Sequence, residues 1–123
     1  MRKLIVLGVL AALVSAPAAL AKERNIALAG KPSTAKAGQA WTATISITRD
    51  KSPVAGKAPT VRLINVSISS GGVVNVTARA TSKMGVYRAR VAFPSAGLWR
   101  VVVVDRETGR AYSFGRTTVT RAT

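Results

Sequence analysis

The sequence predicts an all-β protein: an immunoglobulin-like antiparallel β-sandwich of 7–8 short strands. Three observations carry this. Nearly every segment alternates apolar and polar residues with period two, and beyond residue 21 no window repeats apolar residues at i, i+3, i+4 and i+7 over a helical length. Turn signals rich in Gly, Pro, Ser and Asn recur at intervals of roughly 8–12 residues. The segment carrying the pattern, residues 22–123, is 102 residues long, enough for one core and too short for two domains.

Residues 1–21 stand apart. Arg2 and Lys3 precede an apolar run from Leu4 to Val14, and Ser15-Ala16-Pro17-Ala18-Ala19-Leu20-Ala21 follows. This is the pattern of a secretory signal peptide. Small residues at Ala19 and Ala21 place cleavage before Lys22, with Ala18 as the second choice of site. The run of 11 residues is too short for an uncleaved anchor, which needs about 20 to span a bilayer. No Cys is present to take a lipid.

The elements then follow in order. Ile26 to Ala29 is a short strand ended by Gly30-Lys31-Pro32. Ala37-Gly38-Gln39 turns the chain into Trp41 to Thr48, where Trp41, Ala43, Ile45 and Ile47 share one face and Thr42, Thr44, Ser46 and Thr48 the other. Arg49 to Pro59, with two prolines and a glycine, reads as a loop or irregular edge. In Val61 to Ile68 the residues Val61 and Leu63 are out of phase with Ile64, Val66 and Ile68, so a bulge is expected near Leu63. Ser69-Ser70-Gly71-Gly72 is a hairpin turn into a single strand from Val73 to Ala80. After the polar turn from Thr81 to Gly85, Tyr87, Ala89, Val91 and Phe93 fall on one face and Arg88, Arg90 and Ala92 on the other. Trp99, Val101 and Val103 resume the inner phase, with Arg100 facing out. Asp105 to Arg110 closes a hairpin onto Ala111 to Thr120, with Gly109 placed to take positive φ.

Composition excludes several functions. With no Cys and no His there is no Ser-His-Asp triad and no thiol nucleophile, and stability rests on packing without disulfides. Ser33-Thr34-Ala35-Lys36 matches S-x-x-K, but its S-D-N and K-T-G partners are absent, so the stretch reads as a loop. Asp105 and Glu107 are too few for a calcium site, and between Arg106 and Arg110 they read as local charge balance. The sequons at Asn65 and Asn75 fall within strands. Trp41, Tyr87, Phe93, Trp99, Tyr112 and Phe114 all take core phases, leaving no exposed platform for stacking bases or sugars.

The most informative bias is charge. Without Arg2 and Lys3, 17 Lys and Arg face 4 acidic residues, a net charge of +13. That balance draws anionic surfaces without naming the anion. Arg62, Arg79, Lys83, Arg88 and Arg90 are the candidate anion-binding residues, weighed against the plainer reading of a solvated basic face.

Ala37-Gly38-Gln39 before a strand, then Ser52-Pro53-Val54-Ala55-Gly56, then Gly85-Val86-Tyr87-Arg88-Ala89-Arg90-Val91-Ala92-Phe93 with Gly97-Leu98-Trp99, resemble the immunoglobulin-like extracytoplasmic domains of YtkA and FixH type. Those domains carry a G-x-Y-x-A-x-V-x-F strand followed by a G-x-W strand. The resemblance covers most of residues 37–104, and Gly109 to Gly115 fits as the last hairpin. It implies a two-sheet fold and a role in copper handling or in assembly of respiratory oxidases, and for FixH-like proteins a membrane anchor. Copper takes imidazole, thiolate or thioether ligands; beyond residue 21 the chain offers only Met84. The fold carries over and the metal does not.

The function expected is that of an exported, non-enzymatic accessory or interaction module of the bacterial cell envelope, in periplasm, cell surface or medium. The alternative is a binder of envelope polymers, anionic lipid or extracellular nucleic acid. An envelope protein or a polyanion is the expected partner, with no cofactor, no small-molecule substrate and no membrane span in the mature chain. The exported protein should begin at Lys22; an intact mass that retains Met1 would remove export from the account.

Overall fold

The computed structural model describes residues 24–68 and 72–122. The predicted signal peptide and Ser69-Ser70-Gly71 of the predicted hairpin turn lie outside the described residues. Ten strands follow in chain order among the described residues: β1 (Arg24–Ala29), β2 (Thr34–Lys36), β3 (Ala40–Arg49), β4 (Ser52–Pro53), β5 (Thr60–Asn65), β6 (Val73–Thr77), β7 (Arg79–Ala80), β8 (Val86–Ala92), β9 (Gly97–Val104) and β10 (Ala111–Thr120). They form two sheets, ordered β2-β10-β9-β5-β6 and β1-β3-β8-β7, with β4 paired to β3. No helix long and apolar enough to cross a membrane occurs among the described residues.

The inner faces are those the alternation predicts. Ala43, Ile45 and Ile47 of β3 and Tyr87, Ala89 and Val91 of β8 pack against Val61 and Leu63 of β5, Trp99, Val101 and Val103 of β9, and Val119 of β10. Phe93, fully buried, stands between the two tryptophans: its ring lies 5.9 Å from Trp41 and 5.8 Å from Trp99. Such pairs add about 0.5–1.5 kcal/mol each beyond the area they bury. Trp99 donates its Nε1–H to Ser95 O at 2.9 Å.

Three expectations need correction. Val73 to Ala80 is two strands: β6 pairs with β5, whereas β7 pairs with β8 in the other sheet. The chain crosses at Ala78, which is buried and whose N–H donates to Pro59 O at 2.9 Å. Side-chain alternation continues through such a crossing because it does not depend on which neighbour takes the backbone bonds. The sheets are also not wholly antiparallel. After Gly30 to Pro32 the chain changes sheets, and β2 runs parallel to β10, from Thr34 opposite Thr118 to Lys36 opposite Thr120.

The third correction concerns the bulge. β5 pairs with β9 in unbroken register, from Thr60 opposite Val104 to Asn65 opposite Trp99. Asn65 takes the next inward position, buried, and its Oδ1 accepts the Ser67 N–H at 2.9 Å, so the strand ends there. Ile64 and Val66 are half-buried and Ile68 is exposed. The bulge lies instead between β9 and β10: Arg100 faces Arg116, Val102 faces Ser113, and Phe114 and Gly115 share the place opposite Val101. Gly115 supplies the positive φ (88°).

Arg49 to Pro59 begins as a tight hairpin. Asp50 and Lys51 both take positive φ, 51° and 68°, the pattern of a two-residue type I′ turn, and return Ser52 opposite Arg49 and Pro53 opposite Thr48. Gly85 enters β8 at φ 78°, and a Cβ there would stand 2.8 Å from Ile47 O. Only glycine fits that approach.

One buried polar contact joins the sheets. Arg24 Nε donates to Asp105 Oδ2 at 2.7 Å and Arg24 Nη2 to Asp105 Oδ1 at 3.3 Å, with side chains 6% and 0% exposed. Asp105 Oδ1 also accepts the Glu107 N–H at 2.9 Å. The Asp105 carboxylate therefore pairs with a guanidinium 81 positions away in the chain. Asp105→Ala strands a buried guanidinium and should cost about 3–5 kcal/mol, visible as a fall in Tm of more than ~10 °C. The pair Arg24→Met with Asp105→Leu should recover most of that loss in the same melting experiment.

Candidate functional site

In β8 the alternation that buries Tyr87, Ala89 and Val91 sends Arg88 and Arg90 to the outer face, and both are exposed. β7 then brings a third arginine to them: Arg79 pairs directly with Arg88. On the other side β3 sets Thr44 opposite Arg88 and Thr42 opposite Arg90. Directly paired side chains have Cβ atoms about 5 Å apart, and Arg90 stands about 7 Å along the strand from Arg88. Arg79, Arg88 and Arg90 thus form one cluster beside two threonine hydroxyls. Like charges directly opposite are unfavourable, and among the described residues no carboxylate forms a salt bridge with them. Among the described residues the one salt bridge is Arg24 with Asp105, and Glu107 accepts the Lys57 N–H.

The same arginines line a groove of about 350 Å³ with Val76, Thr77 and Ala89, where the chain passes from one sheet to the other. Its chemistry suits an anion: guanidinium groups that fork onto carboxylate or phosphate.

The other two predicted residues lie apart from this cluster. Arg62 is on β5, in the opposite sheet, where its Nε donates to Asn75 Oδ1 at 2.8 Å. Lys83 sits in the turn before β8, whose backbone is tied by Thr81 Oγ1, and borders a separate hollow with Met84, Gly56 and Tyr87. Two arginines outside the predicted set, Arg100 and Arg116, face each other across β9 and β10. Thr42 and Thr44 were legible as outward residues, but nothing local in the sequence joins them to Arg88 and Arg90.

No copper chemistry fits the residues present. Met84 is 62% exposed, beside Lys83 and with no His or Cys anywhere in the chain. It is therefore neither packed nor part of a ligand set. Among the described residues no group of three or more His, Cys, Asp or Glu could hold a metal. Ser33 and Lys36 of the S-x-x-K stretch flank a strand edge rather than a helix N-terminus: Ser33 O accepts the Thr118 N–H at 3.1 Å. Asn65, 4% exposed, has no room for a glycan.

No curated protein sequence matches the chain. Among solved structures, two variants of superoxide reductase (neelaredoxin) from Ignicoccus hospitalis align with it. One is 10% identical, with 85% of each chain covered and a TM-score of 0.49. The other is 12% identical, with 89% of this chain and 87% of that one covered and a TM-score of 0.43. The strand that Gly85 opens, the buried Trp99 and the hairpin turn before Pro53 all lie within residues 19–104, the stretch matched by the YtkA-like family model, and the chain belongs to the YtkA-like family.

Proposed function

We propose that this chain is an exported, non-enzymatic interaction module of the bacterial cell envelope whose contact surface is the arginine face of β7 and β8, and whose partner is anionic there. One observation carries the reading. Arg79, Arg88 and Arg90 are held together by strand register with no carboxylate among them, an arrangement whose mutual repulsion a bound anion would relieve. The absence of His and Cys from the sequence, and the use of Asp105 and Glu107 in internal contacts, support a binding role over catalysis. The alternative partner, a polyanion such as an envelope polymer, anionic lipid or extracellular nucleic acid, would use the same face.

Two measurements test this. Duplex DNA or heparin should bind without sequence preference. With three phosphate contacts, raising salt from 50 to 200 mM should weaken DNA binding by about 40-fold. Arg88→Glu with Arg90→Glu should abolish that binding and leave the Tm nearly unchanged, since both side chains are exposed; full affinity in the double variant would sink the proposal. Copper(II) titrated into tag-free protein should show no one-to-one binding at micromolar concentration, because imidazole and thiolate are absent.

A further inference from the structure

β8 has an open edge beside the arginine cluster. In the ladder between β3 and β8 the Ile47 N–H donates to Gly85 O at 2.8 Å. Hydrogen-bonded and non-hydrogen-bonded pairs alternate in an antiparallel ladder. Tyr87, Ala89 and Val91 therefore direct their backbone groups to β3, and Val86, Arg88, Arg90 and Ala92 direct theirs to the other side. There, Val86 O accepts the Thr81 N–H at 3.1 Å and Arg88 faces Arg79. Beyond Arg88 no strand among the described residues pairs with this side of β8, because the chain leaves for the other sheet at Ala78 and pairs with β5 instead. The N–H and C=O groups of Arg90 and Ala92 thus face outward along the line that β7 vacates.

We infer that this edge, from Arg90 to Ala92, takes an extended acidic segment of a partner protein as an added strand. The inference rests on the anionic-partner reading above and specifies the partner. An added strand would pair its backbone with Arg90 and Ala92, as edge recognition generally does. A side chain placed opposite Arg90 lies on the arginine face. It stands about 5 Å from Arg90 and about 7 Å along the strand line from Arg79, with Arg88 on the diagonal. A carboxylate there meets three guanidinium groups at once. The next residue of the segment turns toward the groove lined by Val76, Thr77 and Ala89, which suits a small or hydroxylated side chain. The segment that fits therefore alternates acidic with small residues.

Charge selects against other occupants. A second copy would bring its own Arg90 to this edge, and like charges across an edge discourage self-pairing. A polysaccharide or nucleic acid can answer the guanidinium groups but lacks the regular amide spacing that the Arg90 and Ala92 backbone presents.

The test compares backbone with charge. The probe is an eight-residue acetylated peptide alternating Glu and Thr, titrated into the purified protein at low salt. Its partner probe carries the same charge with alternate backbone nitrogens methylated. The parent peptide should bind, and methylation should weaken it at least tenfold. Ala92→Pro removes one open N–H without touching an arginine or a bond to β3; it should weaken the peptide at least tenfold and leave heparin affinity and Tm unchanged. Equal binding of the two peptides by the wild type, or no binding of the parent peptide, overturns the added strand whatever the stability of the proline variant. Heparin binding at full affinity in Arg88→Glu with Arg90→Glu would instead overturn the underlying anion-binding face.

Discussion

The buried fork between Arg24 and Asp105 is the directional tie between the two sheets. Arg24 opens β1 at one side of the second sheet, and Asp105 ends the central strand of the first. Neither charge tolerates burial alone, so each fixes the other's position, and with it the alignment of two sheets that otherwise meet through non-directional apolar contacts. The value of such a pair lies more in specifying register than in net stability, since apolar replacements of similar volume are often as stable. Asp105 extends the constraint into the hairpin between β9 and β10 by accepting the Glu107 N–H. Toward the other end of β9, Trp99, Phe93 and Trp41 close the sandwich by contact.

Within that frame the chain changes sheets five times among the described residues, and the passage from the first sheet to the second at Ala78 shapes the surface. The crossing at Ala78 has two effects at once. It delivers Arg79 opposite Arg88, and it cuts β7 to two residues, which leaves the far half of β8, among the described residues, paired only on its β3 side. The charge cluster and the open edge are therefore products of one break in the strand path. Elsewhere on β8 the outer face follows from alternation alone.

What could be read from the sequence and what could not divides along the range of the interactions. The phases of β3, β8 and β9 are local properties, and Ala43, Ile45, Tyr87, Val91, Trp99 and Val101 stand where alternation places them. Register is not local: nothing near Arg79 says that it faces Arg88, or that Arg62 belongs to the other sheet. The bulge assigned to Leu63 failed because a polar residue, Asn65, holds an inward position, so an apolar count mistook the outer Ile64 and Val66 for the inner phase. The ion pair left a signal that was readable. Arg24 continues the inward phase of Ile26 and Leu28, and Asp105 that of Trp99, Val101 and Val103; two opposite charges in core phases require each other.

The aromatic row has an optical consequence. Both tryptophans of the chain belong to it, Trp41 from one sheet and Trp99 from the other, with Phe93 between them. Their ultraviolet emission and near-ultraviolet dichroism are thus a native gauge of the seam between the sheets, while neither tryptophan borders the arginine groove. Spectral change on heating would follow the parting of the two layers, and ligand capture at the basic edge would leave those spectra silent unless the layers themselves moved.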